Sequence, residues 1–158
     1  MKYPLIALMF VCSISHADDY LSVGSSNRVD SVSSAIGASI ANSIYAEASF
    51  IDEGKQPGGI KNVNRLVDID LVKTIQFGSF YASTKAGLTS SYFSHNGSGN
   101  SYENHTGFSG QNIGVNIGYN ISKTVSIELS DNDSRYLQCD HHAYESFNIV
   151  SVGVKFSF

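Results

Sequence analysis

Apolar and polar residues alternate one by one through most of this chain. Leu21 and Val23 alternate with Ser22 and Gly24, and Ile36, Ala38 and Ile40 alternate with Ala35, Gly37 and Ser39. Ile44, Ala46, Ala48 and Phe50 alternate with Tyr45, Glu47 and Ser49; Val67, Ile69 and Leu71 alternate with Asp68 and Asp70. The pattern resumes with Phe80, Ala82, Ala86 and Leu88 against Ser83, Lys85, Gly87 and Thr89. It continues with Ile113, Val115, Ile117, Tyr119 and Ile121 against Asn112, Gly114, Asn116, Gly118 and Asn120, then Val125, Ile127 and Leu129 against Ser126, Glu128 and Ser130. The last segment sets Val150, Val152, Val154, Phe156 and Phe158 against Ser151, Gly153, Lys155 and Ser157. Successive side chains of a strand point to opposite faces, so each segment is a strand with one apolar and one polar face. Eight such segments predict eight strands.

The connections alternate in length. Those around Asn42-Ser43, Thr74–Phe77 and Ile121–Lys123 are short; those at Asp52–Asn64, Ser94–Gly110 and Asp131–Ser146 are long and polar, and the first, near Asn27–Asp30, is modest. Short turns on one rim and longer ones on the other are the arrangement of outer-membrane barrels, and an even strand number puts both ends of the barrel on the short-turn rim. The expected fold is all-β: an eight-stranded antiparallel up-and-down transmembrane β-barrel over residues 18–158, with an interior that side chains nearly fill. A secreted lipocalin-like barrel is the soluble alternative, with its large apolar groups turned inward. The polar parity here is dominated by Gly, Ser and Asn, which suits a narrow, wet interior and favours the membrane reading. Ile36, Ile44, Phe50, Ile69, Leu71, Ile113, Ile117, Val125, Ile127, Val152 and Phe156 are expected on the lipid face; Tyr45, Tyr81 and Lys155 are expected inside; Tyr119 and Phe158 are expected in an aromatic girdle.

The first residues change the picture of location. Lys2 supplies a positive start, Leu5–Cys12 an apolar run and Ser15-His16-Ala17 a small-x-small cleavage site, so residues 1–17 read as a secretory signal peptide. A lipoprotein reading centred on Cys12 is the lesser alternative, because Val11 is a poor residue before a lipidated cysteine. After cleavage Cys139 is the only cysteine, which leaves no intramolecular disulfide. The formal net charge is −4 and no basic patch occurs, so nucleic acid is not an expected partner. No later stretch reaches the roughly 20 apolar residues a spanning helix needs, but alternating strands average to neutral.

Four pieces resemble, in order and spacing, the transmembrane domain of outer membrane protein A and its small relatives. They are residues Ile44–Gly54, Phe80–Leu88, Asn112–Lys123 and Val152–Phe158. The resemblance implies an eight-stranded outer-membrane barrel with roles in envelope integrity or host contact. It also implies an interior network in which Glu47, Lys85 and Glu128 take part, with Lys155 as the alternative cation. The peptidoglycan-binding domain of larger relatives has no counterpart here, so wall tethering is not carried over. The aromatic end, Phe156 and Phe158, resembles the signal read by the barrel-assembly machinery. Outer-membrane lipid, that machinery and a host or envelope surface are therefore the expected partners.

The candidate chemistry is sparse. Glu47, Asp68, Asp70, Lys85, Glu128 and Lys155 share the polar parity, and buried charges need partners. A structural plug is favoured over a gate on a narrow ion path, given the small diameter of such barrels. Cys139-Asp140-His141-His142 carries competent metal ligands, with His95 and His105 in another long connection, but the spacing is poor for zinc and a solvated loop is favoured. A lipid-modifying enzyme would need a nucleophile and base within reach; there is no Gly-x-Ser-x-Gly elbow, and no histidine falls on a predicted strand. No catalytic residue, cofactor or metal is assigned. The segment Ser94–Gly110, rich in Gly, Ser and Asn with Tyr102 and Phe108, suits surface recognition. The favoured function is a non-enzymatic outer-membrane surface protein; a narrow channel and an outer-membrane lipid-modifying enzyme are the alternatives.

Overall fold

The computed structural model describes residues 19–26, 31–53, 61–96, 101–138 and 143–158. Residues 1–17 and the Cys139–His142 cluster lie outside them. Eight strands run in chain order: β1 Tyr20–Ser26, β2 Val32–Ala41, β3 Ile44–Glu53, β4 Lys61–Phe77, β5 Phe80–Asn96, β6 Ser101–Asn120, β7 Val125–Gln138 and β8 Ala143–Ser157. Each pairs antiparallel with its neighbour, and β1 pairs with β8, so the sheet closes into a barrel. The fold is the expected all-β, eight-stranded antiparallel barrel.

The alternation decides which face is which. The aliphatic parity points outward: Leu71, Ile113, Ile117 and Val152 are all more than half exposed, and Ile69, Phe50, Ile127 and Phe156 lie in the same exposed belt. The Gly/Ser/Asn parity points inward, where Ser83, Asn112, Asn116, Ser130 and Ser151 are buried. This inverts the soluble barrel, in which the larger apolar residues would fill the core. Near the short turns the belt carries Phe77, Phe80, Tyr119, Phe156 and Phe158, all exposed, and the rings of Phe80 and Tyr119 stand 4.9 Å apart. Aromatic rings bridge an apolar layer and water, so this row has the composition of an interfacial girdle.

Two boundaries differ from the sequence expectation. Thr74–Phe77 is the end of β4 and not a turn; the reversal is Gly78-Ser79, where Gly78 adopts φ 61°, a left-handed backbone that glycine takes without a side-chain clash. The long polar connections at 94–110 and 131–146 are also mostly strand. β5 and β6 have 17 and 20 residues, and their ladder runs on to Asn96↔Ser101; β7 and β8 pair as far as Gln138↔Ala143. A strand needs only about 9–11 residues to cross a hydrocarbon layer. Apolar and polar residues alternate poorly over 94–96 and 101–110, yet the backbone ladder persists there. His95 and His105 consequently lie on β5 and β6, contrary to expectation.

The upper hairpins are not a continuation of the closed barrel. β6 pairs with β7 only as far as Gln111↔Arg135, yet β4, β5 and β6 stay paired up to Lys61↔Asn96 and Asn96↔Ser101. A three-stranded sheet therefore rises past the rim. Among the described residues, Ser101–Gly110 has no ladder on its β7 side.

Candidate functional site

Among the described residues, buried titratable groups converge in the barrel interior. Its geometry follows from rows of directly paired inward residues. One row runs Tyr20–Gly37–Glu47–Asp70–Gly87–Asn112–Ser134 across β1 to β7. Another runs Tyr45–Val72–Lys85–Gly114–Asn132–Ile149, and a third Tyr81–Gly118–Glu128–Gly153. Large side chains and glycines thus sit beside one another, as a narrow barrel requires. A Cβ on Gly37 would overlap the Tyr20 ring, one on Gly118 the Tyr81 ring, one on Gly114 the Asn132 amide oxygen and then the Lys85 stem, and one on Gly87 the Ile69 carbonyl and the Asp70 carboxylate. Glycine in the polar parity makes space for the neighbouring charge or ring.

The charged groups are held in two clusters. Lys85 Nζ lies 3.0 Å from Glu47 Oε1 and 3.8 Å from Asp70 Oδ2, with all three side chains buried. Tyr20 donates its hydroxyl to Glu47 Oε2 at 2.5 Å, and Asn112 donates to Asp70 Oδ2 at 2.8 Å. Asp68, next along β4, accepts from the Ser49 hydroxyl at 3.2 Å. In the second cluster Lys155 Nζ is 4.0 Å from Glu128 Oε2, and Tyr81 donates to the same oxygen at 2.8 Å. The Lys155 ammonium also lies 3.7 Å from the Tyr20 ring centre, 5.1 Å from that of Tyr81 and 5.8 Å from that of Tyr45. Aromatic faces attract a cation, the more so when water is excluded.

Of the residues singled out from the sequence, Glu47 and Lys85 are in direct contact, whereas Glu128 pairs with Lys155 and makes no salt bridge with Lys85 among the described residues. Tyr45, Tyr81 and Lys155 all point inward, Tyr45 packing edge-on against Tyr20 at 5.3 Å. Phe156 and Phe158 are exposed on the short-turn side, and the Phe158 amide donates to the Asp19 carbonyl at 2.9 Å across the closing seam. Asp70 and Asn112 were expected on the polar parity, but their contact with each other, the approach of Lys85 to Asp70 and the part played by Tyr20 were not foreseen. Sequence reasoning also gave the interior no apolar members, yet Ile51, Leu66 and Ile149 form a buried cluster toward the long hairpins, and Val72 is buried as well. These four share the parity of the polar positions, a signal that was available but outweighed by the serines and glycines around it.

Between the charged layer and that apolar cluster a polar cavity of about 40 Å³ remains, bordered by Glu47, Lys85, Glu128, Asn116 and Asn132. Asn116 Oδ1 and Asn132 Oδ1 are buried with no hydrogen-bond partner among the described residues. One water needs roughly 10–15 Å³ of such space, so the cavity has room for a few waters to serve these atoms. Among the described residues no group of three or more His, Cys, Asp or Glu is placed to hold a metal ion.

Known proteins match this chain through its fold. No family model matches the sequence, and no curated protein matches it. Solved structures do. The N-terminal β-barrel domain of Pseudomonas aeruginosa OprF is similar at a TM-score of 0.74 and 14% identity, over 90% of this chain and 98% of that one. Neisserial surface protein A is similar at 0.69 and 10%, over 89% and 95%. Ail, the attachment invasion locus protein of Yersinia pestis, is similar at 0.57 and 11%, over 90% and 100%. The chain is an eight-stranded barrel resembling these outer-membrane barrel domains.

Proposed function

We propose that this chain is a non-enzymatic barrel of the bacterial outer membrane that presents its long hairpins to a partner beyond the membrane, either a host surface or another envelope component. The observation that carries the reading is the inversion of faces: an exposed aliphatic belt surrounds an interior closed by ion pairs. An exposed belt of this size in water would be an aggregation surface, whereas in lipid it is the stable arrangement. Residues 1–17 serve as the export signal in this reading, and Phe156 and Phe158 as the mark read by the barrel-assembly machinery. The interior network of Glu47, Lys85, Glu128 and Lys155 is a plug that rigidifies the barrel. The sheet raised by β4, β5 and β6 offers recognition surface on a stable platform, the usual division of labour between scaffold and loops. Among the barrels this chain resembles is an attachment invasion locus protein, and the same use of a small barrel fits here.

The test prunes only what rises above the barrel. Residues 93–104 are replaced by a two-residue turn joining Tyr92 to His105, a directly paired couple, and residues 137–144 by one joining Tyr136 to Glu145. The pruned barrel is expected to fold and to lose adhesion to host cells or envelope partners. Full adhesion by the pruned protein refutes the reading. A stable nanosiemens-scale pore in planar bilayers refutes the plug, since an eight-stranded barrel with a filled interior leaves no wide channel.

A further inference from the structure

At the long-hairpin edge of the belt the outward face changes from aliphatic to charged, and on one side it changes around a groove. The groove has a volume of about 310 Å³ and is lined by Phe50 of β3, Arg65 and Val67 of β4, and Ser90, Ser91 and Tyr92 of β5. Its lower half is apolar: Phe50 and Val67 are directly paired across β3 and β4, and both continue the exposed aliphatic belt through Ile69 and Leu71. Its upper half holds Arg65, which is ion-paired with Asp52. Arg65 is paired in register with Asp52 on one side and Tyr92 on the other. Arg65 Nε lies 3.5 Å from Asp52 Oδ2, and its guanidinium carbon lies 5.9 Å from the Tyr92 ring centre, with 48% of the side chain exposed.

We propose that this groove binds a phosphate-bearing membrane lipid, with the headgroup on Arg65 and an acyl chain along Phe50 and Val67. The inference rests on the membrane reading of the outward face. A guanidinium presents five donors in a planar fork, so contact with Asp52 through Nε fixes its direction without exhausting it. Phosphate oxygens match that fork in paired hydrogen bonds. The contact would form where the aliphatic belt ends, at a depth where water screens charges less than in bulk. The apolar lower half selects an amphiphile over a free anion, because inorganic phosphate leaves Phe50 and Val67 uncovered. Basic groups at the edge of a membrane span are a general means of holding lipid headgroups.

The experiment uses the full chain folded in an uncharged detergent and titrated in native mass spectrometry. The probes are didecanoyl phosphatidic acid, the matched diacylglycerol and inorganic phosphate. Phosphatidic acid is expected to be retained at about tenfold lower concentration than diacylglycerol, the scale of one charge-assisted contact, with inorganic phosphate not retained. Arg65→Gln should abolish that preference, Arg65→Lys should keep part of it, and Arg135→Gln should leave it intact. Arg135 is an outward arginine paired with Asp133 elsewhere on the rim, and so controls for charge alone. Equal retention of the two lipids, or a preference that survives Arg65→Gln, overturns the proposal. Inorganic phosphate held as tightly as phosphatidic acid overturns the lipid assignment. Flotation with phosphatidylcholine vesicles runs in parallel: a barrel that does not float refutes the membrane reading, whereas one that floats without the lipid preference refutes the groove alone.

Discussion

Replacing Lys85 with methionine should remove more stability than any other single change in the interior. The substitution keeps the length of the stem and deletes the charge. Lys85 Nζ is 3.0 Å from Glu47 and 3.8 Å from Asp70, and the three side chains expose only 6%, 4% and 0% of their surface. Without it the two carboxylates face each other across the directly paired rung Glu47↔Asp70, with Asp68 next along the same strand. At an effective dielectric of about 20, each lost attraction amounts to roughly 4–6 kcal/mol before desolvation is counted. The net cost of breaking such a buried pair is about 3–5 kcal/mol. The chain has no tryptophan, so unfolding is followed by far-ultraviolet circular dichroism during urea titration in vesicles. With a denaturant slope of about 1–3 kcal/mol per molar, the midpoint should fall by at least about 1 M. A triple variant that also carries Glu47→Gln and Asp70→Asn should recover most of the loss, because no unpartnered charge remains. An unchanged midpoint for Lys85→Met, or a triple variant no better than the single one, refutes the reasoning.

Leu71→Lys places a charge in the middle of the outward belt and should cost about 2–4 kcal/mol in vesicles; in a water-soluble barrel the same exposed position would tolerate it within about 0.5 kcal/mol. Gly118→Ala sets a methyl group into the Tyr81 ring and should cost about 1–3 kcal/mol by urea titration, a loss that Tyr81→Leu in the same chain should partly reverse. Deleting Phe158 should lower outer-membrane levels in cell fractionation more than it lowers the urea midpoint of the purified barrel; normal levels would remove the assembly role.

The belt was legible in the sequence because lipid demands an unbroken apolar parity, and a strand expresses that demand as strict alternation. Ile113, Val115, Ile117 and Tyr119 could hardly be read otherwise. The hairpins above it were not legible as strands, because residues 94–96 and 101–110 carry little alternation, and the backbone pairing that extends them leaves no mark in the sequence. The interior was half legible. Charges on one parity announce a lumen, but register decides which of them meet. Glu128 is on the row of Tyr81 and Gly153, and its cation comes from the closing strand as Lys155. The β7–β8 register makes that choice: it sets Lys155 opposite Ser126, one inward position from Glu128, and alternation alone does not give a register.

The interior is lined differently toward its two ends. At the short-turn end, Tyr20, Tyr45 and Tyr81 surround Lys155, so the cation is covered by rings whose hydroxyls reach Glu47 and Glu128 in two of the three cases. Toward the hairpins, Ile51, Leu66 and Ile149 form a buried apolar cluster, with the buried Ser91 directly opposite Leu66. Polar groups buried between them need internal partners, because bulk water no longer competes for them. The ion pairs, the buried asparagines and a cavity sized for a few waters meet that need between the two ends. A barrel organised in this way gains rigidity from its interior.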